Sequence, residues 1–246
     1  MSRYLSIINY RTLVCVLLSA LIPYVAYRFK VIYNIDLTLM SIAIIFPLVF
    51  TIRGAFRRRE KALEHLSRFH ASLRTFENIL ISTKSLKEED LKTGVEKINH
   101  ANSAVMNFLK SADENTQKVD DSMKDIVDFV MANSEAISGG TRQRLFRFLK
   151  DSIESSNNLI GIHTHRTPIS LKAYCLIFIY IFPVVYTPTI INKIGLDNPA
   201  WLTYFVVILS EFILISLYNI QDHMEYPFDD NGLDDIKLSK FEMSRK

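Results

Sequence analysis

Leu37-Thr-Leu-Met-Ser-Ile-Ala-Ile-Ile-Phe-Pro-Leu-Val-Phe-Thr-Ile52 is sixteen residues without a charge, and it runs directly into Arg53-Gly-Ala-Phe-Arg-Arg-Arg-Glu-Lys61. As a helix the apolar run covers about 24 Å, somewhat short of a hydrocarbon core of roughly 30 Å. Arginine side chains at its ends extend that reach toward the headgroups. A second run of sixteen, Thr12–Tyr27, lies just upstream between Arg11 and Arg28. Either run alone reads equally as a buried core helix. Together, close in sequence and basic at their ends, they predict an N-terminal transmembrane hairpin over 1–54. No small-x-small cleavage site follows Tyr27 and a second apolar run does, so the first run is expected to be retained rather than removed as a signal peptide.

Working outward, a second pair of apolar runs closes the chain. Ala173–Asn192 is twenty uncharged residues between Lys172 and Lys193, and Asn198–Gln221 is twenty-four residues with one charge, Glu211. Both are long enough to span. Tyr180, Tyr186, Trp201 and Tyr204 supply aromatic side chains of the kind that anchor spans at an interface. The second hairpin is therefore placed at 169–221. Arg53, Arg57, Arg58, Arg59 and Lys61 crowd the exit of the second span, which puts that side in the cytoplasm. An even number of spans then puts both termini there, in a multi-pass protein of the cell membrane. Glu211 reads either as a pore or coupling residue or as a helix-bridging hydrogen bond.

Between the hairpins the composition changes. Residues 55–168 hold 34 of the 55 Lys, Arg, Asp and Glu side chains. This excludes both a uniformly soluble globule and a chain that is membrane throughout. Segment 56–81 carries Phe56, Leu63, Leu66, Phe69, Leu73, Phe76 and Leu80 at helical spacing. Ser85-Leu-Lys-Glu88 fits a capping box opening a second helix, with Leu91, Val95, Ile98, Val105 and Phe108 inward. Val119, Met123, Ile126, Val127 and Val130 mark a third helix. Gly139-Gly140 marks a turn, and Leu145, Phe146, Leu149 and Ile153 line a fourth helix. The fold class is thus an all-α membrane protein: four transmembrane helices in two hairpins, a cytoplasmic helical region over 55–168, and an acidic cytoplasmic tail over 222–246.

Several chemistries are excluded. The formal net charge of +3 is too small to indicate nucleic acid as a partner. Cys15 and Cys175, the two cysteines, both lie in apolar runs, which excludes a secreted disulfide scaffold. There is no Gly-rich phosphate loop, no His-Glu-x-x-His, no paired-cysteine metal spacing and no nucleophile elbow, so no enzyme and no catalytic residue is expected. His163-Thr-His165 is two imidazoles, which read as structural. The tail offers Asp222, Glu225, Asp229, Asp230, Asp234 and Asp235. Clustered carboxylates suit a hard cation such as calcium, but EF-hand spacing is missing, and a solvated acidic segment needs no ligand. The expectation is no cofactor and no metal site.

Three stretches together resemble the bestrophin family of ion channels. Phe50-Thr-Ile-Arg-Gly-Ala-Phe-Arg-Arg-Arg59 is similar to the family's Phe…Ala-Tyr-x-Arg-Trp pattern after the second span, with Phe50, Ala55 and Arg58 at matching spacing. Arg166-Thr-Pro-Ile169 resembles the Arg-Thr-Pro-(Ile/Val)-Pro motif of its prokaryotic branch. Ile220-Gln-Asp-His-Met-Glu-Tyr-Pro-Phe228, followed by acidic residues and Leu233, resembles the Glu-x-x-(Glu)-x-Pro-Phe segment after the last span. The order of the three relative to four spans agrees along nearly the whole chain. Departures are Ser170 for the second proline, Arg59 and Glu60 for aromatics, and Asp229 for glycine, which mark a divergent member.

The resemblance implies a homopentamer whose second spans line a central pore in the lipid bilayer. Its neck would be three apolar rings, Ile42, Phe46 and Phe50; without the resemblance the same stripe reads as ordinary helix packing. Arg57, Arg58 and Arg59 would form a basic ring at the inner mouth. The permeant species would be small monovalent ions, with chloride and other anions favoured, although some prokaryotic relatives conduct cations. Asp230 and Asp234 fall on acidic positions of the family's cation clasp, where Asn231 replaces a carboxylate. The rival reading from another class is a membrane-anchored helical scaffold whose spans only anchor it and which transports nothing.

Overall fold

The structure, a computed structural model, describes residues 8–111, 115–230, 232 and 234–243. Among these residues there are seven α-helices and no strand. They are α1 (Tyr10–Phe29), α2 (Thr38–Ile81), α3 (Glu88–Lys110), α4 (Gln117–Ala132), α5 (Gly139–Thr164), α6 (Ile169–Ile194) and α7 (Ala200–Met224). Four helical stretches are long and apolar enough to cross a membrane: α1, α2, α6 and α7 supply them. The chain divides into two compact units. One comprises the residues through Arg57 with Thr167–Glu225, and the other Arg58–Arg166 with the residues from Tyr226 onward.

In the first unit the helix ends are set by local chemistry. Asn9 caps α1: its Oδ1 accepts the Thr12 backbone N–H at 3.1 Å, and Thr12 Oγ1 accepts the Asn9 N–H at 3.3 Å. Pro168 and Pro199 sit immediately before α6 and α7, where no intrahelical N–H is required. Gly195 ends α6 with φ of 86°, a conformation that side chains with a Cβ rarely adopt. α1 presents a narrow stripe of small residues, Thr12, Cys15, Ser19 and Ala26, and packs closely on α7 and α6. Cys15, Leu48, Cys175, Ile179, Ile215 and Tyr218 form the shared core. Leu13, Leu17, Leu21, Ile177, Val184, Phe205 and Ile213 stay exposed, as lipid-facing side chains do.

In the second unit, Ala62, Leu66, Phe69, Leu73, Phe76 and Leu80 form a fully buried column along the C-terminal half of α2. Ile98 and Val105 of α3, Met123, Ile126 and Val130 of α4, and Leu145, Leu149 and Leu159 of α5 close around it. Phe56, expected on this stripe, is instead exposed. His163 is part of this packing. Its Nε2–H donates to the Ser111 carbonyl at 3.0 Å, its ring meets Phe108 and Phe228, and burial holds the imidazole below its ordinary pKa. The acidic tail contributes to the core as well, through Phe228, Ile236, Leu238 and Met243. Asp229, Asp230 and Asp234 of the tail are exposed, but its apolar residues are not.

Two local expectations are corrected. The capping box at Ser85 does not form. α3 starts at Glu88 with Lys87 as its cap, and the Ser85 hydroxyl donates to the Ala136 carbonyl at 2.5 Å. Glu88, Glu89 and Asp90 fill the first turn, where their charge favours the helix N-terminus without a side-chain cap. Gly139 and Gly140 are the first residues of α5 rather than a turn. Ser138 caps that helix by accepting the Thr141 N–H at 3.3 Å, and the reversal lies just before it, where Ile137 N donates to Asn133 O at 2.9 Å.

Candidate functional site

The N-terminal half of α2 has two unlike faces. Ile44, Leu48, Thr51 and Ala55 are buried, with Leu48 in the core beside Cys175, Ile179 and Ile215. The other face carries Ile42, Phe46 and Phe50, which are 45%, 55% and 59% exposed. Leu39, Ile45 and Val49 are exposed around them. At four-residue intervals the three side chains rise about 6 Å each and drift by about 40° per step, so they form one slightly slanted column. The Phe46 and Phe50 ring centroids are 6.0 Å apart. None of the three is part of the buried core of the chain.

Pro47 lies within this column, yet α2 continues through it. A proline cannot donate to the carbonyl four residues earlier, which here is Ala43. The Tyr174 hydroxyl on α6 donates to that carbonyl at 3.4 Å. A neighbouring side chain thus takes the place of the missing N–H, as membrane helices with internal prolines require. Tyr174 went unnoticed in the sequence reading; the signal available was a mid-span proline, which calls for a donor on some other helix.

The three arginines do not share a direction. Relative to Phe50, helical geometry turns Arg57 by about 20°, Arg58 by about 80° and Arg59 by about 180°. Arg57 continues the apolar column and is exposed. Arg58 is half-buried. Arg59 faces away: its Nε donates to the Asp234 carbonyl at 2.6 Å and its Nη1 pairs with Glu60 at 2.8 Å.

The acidic residues after Phe228 are dispersed among separate partners. Lys237 Nζ sits 3.0 Å from Asp230 Oδ1, and Asp234 serves Arg59 through its backbone. Asp235 accepts the Gly232 N–H at 2.7 Å; burial, with Asp229 beside it, pushes its carboxyl up to about 6. Asn231 and Leu233 lie outside the described residues. Among the described residues no three His, Cys, Asp or Glu side chains gather closely enough to hold a metal ion.

The second and third sequence motifs meet in space. Glu225 is buried and accepts the Thr167 backbone N–H at 2.7 Å, the Gln221 amide at 3.3 Å and Lys172 Nζ at 2.8 Å. Lys172 also reaches Asp222 at 2.6 Å, and Arg11 approaches the same carboxylate at 3.5 Å. Within the other unit the Arg166 guanidinium lies over the Tyr226 ring, 4.2 Å from its centroid. Lys172 and Asp222 were read from sequence only as a span flank and a tail carboxylate. Their proximity depends on α6 and α7 packing side by side, which spacing along the chain does not encode.

No family model and no curated protein matches the sequence. Solved structures do match in shape. A bacterial bestrophin homologue from Klebsiella pneumoniae superposes with a TM-score of 0.80 at 16% identity, over 94% of this chain and 93% of that one. A single-substitution variant of that homologue gives 0.79 at 16% identity, over 94% and 95%. A further structure, described as a membrane protein, gives 0.80 at 15% identity, over 94% and 93%. The chain has the fold of the bacterial bestrophin homologues over nearly its whole length, as the three motifs led us to expect.

Proposed function

We propose that this chain is the subunit of a homopentameric ion channel of the cell membrane, with both termini cytoplasmic. It passes small monovalent ions, chloride and other anions favoured, along an axis lined by α2. The single observation that carries this reading is the column Ile42–Phe46–Phe50, apolar yet outside the subunit's core, on a helix whose opposite face is buried. In a five-fold assembly each position becomes an apolar ring. Such rings cannot replace an ion's hydration shell, so width and wetting govern passage, and weakly hydrated ions cross most easily. Arg57, on the same column, supplies positive charge at the inner mouth, where five copies raise the local anion concentration.

No step here needs covalent chemistry, and no bound metal enters the mechanism. Reconstitution of the purified chain into chloride-loaded liposomes tests the proposal. Chloride efflux that scales with protein density and exceeds protein-free controls several-fold is the expected result. Liposomes that stay tight at high protein density would instead support the anchored-scaffold reading.

A further inference from the structure

α1 and α7 run side by side, joined by polar contacts at both ends. The Tyr27 and Thr203 hydroxyls are 2.8 Å apart at one end, and Asn219 Nδ2 donates to Thr12 Oγ1 at 2.9 Å at the other. Between these satisfied pairs sits Glu211. It lies about 17 Å along α7 from Ala200, near the middle of the span. Its side chain is fully buried, and among the described residues neither carboxyl oxygen has a hydrogen-bond partner.

The groups around it are unable to neutralise a charge. α1 contributes the buried thiol of Cys15, a weak donor, beside the carboxyl. α6 contributes Tyr180, whose phenol interacts with both Cys15 and Glu211. α7 carries no other ionisable residue between Tyr204 and Tyr218, and the apolar run of α2 over 38–52 carries none at all. The cations nearest along the neighbouring helices, Arg11 and Lys172, are both held by Asp222. A carboxylate in such a place lacks solvent and counter-ion and has only a thiol and a phenol near it, whereas the neutral acid needs only one acceptor for its O–H. The thiol and phenol can each accept that proton's hydrogen bond.

We infer that Glu211, together with Cys15 and Tyr180, is a proton-binding site at the centre of the α1–α6–α7 bundle, occupied at neutral pH. Release of the proton to solvent leaves a negative charge against the small-residue face of α1 and loosens its packing on α7. The site is independent of the proposed ion path: it lies on helices other than the one that carries the Ile42–Phe50 column.

Infrared spectroscopy of the purified full-length chain in detergent tests this without reference to ion flux. In heavy water at neutral pH, where ordinary carboxyls are ionised, the wild-type chain is expected to keep a carboxylic-acid C=O band that Glu211→Gln lacks. If Glu211→Gln fails to assemble, Glu211→Asp serves, and the band is expected to shift in frequency. Absence of the band in wild type, or an identical band in the variant measured, overturns the assignment. The melting temperature of the wild type is also expected to fall as pH rises from the ordinary carboxyl range to the point where the folded chain releases the proton, with Glu211→Gln falling less. Parallel falls in both would overturn the loosening.

Discussion

The Glu225 carboxylate accepts the Thr167 backbone N–H at 2.7 Å while holding Lys172 Nζ at 2.8 Å. The end of the last apolar helix therefore fastens the start of the one before it. Glu225 is almost wholly buried and Lys172 mostly so, which protects the pair from the solvent screening that weakens surface ion pairs. Thr167 immediately precedes Pro168, the cap residue of α6.

Glu225→Ala removes one carboxylate from the largely buried Lys172 ammonium and takes away the acceptor of the Thr167 N–H. The expected loss is about 3 kcal/mol, the lower end for breaking a buried pair, because Asp222 remains. Glu225→Gln keeps an acceptor for Thr167 and should cost clearly less. Denaturant or thermal unfolding in detergent gives the ordering; equal losses would mean the Thr167 contact contributes nothing.

Gly94 on α3 has no room for a methyl group: a Cβ there would lie 2.6 Å from Leu80 Cδ2 and 2.8 Å from the Phe129 ring. Gly94→Ala is expected to destabilise by about 1–2 kcal/mol, since overpacking outweighs the gain in helix propensity. Gly161→Ala, in α5, meets nothing within 4 Å and should stabilise by up to about 1 kcal/mol. Opposite shifts in melting temperature are the predicted pattern.

Asp235 predicts a pH effect of definite sign. Its carboxyl is pushed from 3.8 up to about 6 on folding, chiefly by burial. Above pH of about 6 the folded chain carries this charge at a cost; between about 6 and 3.8 it binds the proton the unfolded chain lacks, so stability rises as pH falls. Asp235→Asn keeps an acceptor for Gly232 and removes the charge. It should melt higher than wild type at neutral pH, with the gap closing on acidification through that window. A gap independent of pH would contradict the assignment.

What the sequence displayed follows from the range of the forces involved. Long uncharged runs such as Ala173–Asn192 and the buried α2 column from Leu66 to Leu80 are set by local periodicity, and both emerge in the structure as helices. The sequence resemblance pointed to the observed fold through three short motifs because the later two meet at Glu225 and Tyr226. Contacts between helices distant in the chain were hidden: Tyr174 on the Ala43 carbonyl, Cys15 beside Glu211, and Lys172 shared by Asp222 and Glu225. Ser85 misled because α3 starts two residues later than the pattern requires, with Lys87 as its cap, and the Ser85 hydroxyl bonds the Ala136 carbonyl of a distant segment. The run Arg57–Arg59 read as one cluster in sequence, whereas a helix distributes three consecutive residues over more than half its circumference.

Membrane orientation is open to direct test. Cys15 and Cys175 are buried, so a cysteine introduced at exposed Ser85 is the reactive thiol. Ser85→Cys is expected to resist an impermeant maleimide in right-side-out vesicles and to react once the membrane is opened. Labelling from outside would reverse the topology.

Flux through Phe46→Ala, normalised to assembled pentamer, tests the central claim most directly. The substitution removes a ring that is 55% exposed on the subunit, so it should leave folding nearly intact. If Phe46 lines the neck, five phenyl groups leave the narrowest zone together, and the neck widens and wets. Native mass spectrometry in mild detergent should then show five subunits for both proteins, with chloride flux per pentamer several-fold higher in Phe46→Ala than in wild type. Unchanged or lower flux per intact pentamer, or a chain that remains monomeric, would contradict the assignment of this column to an ion path.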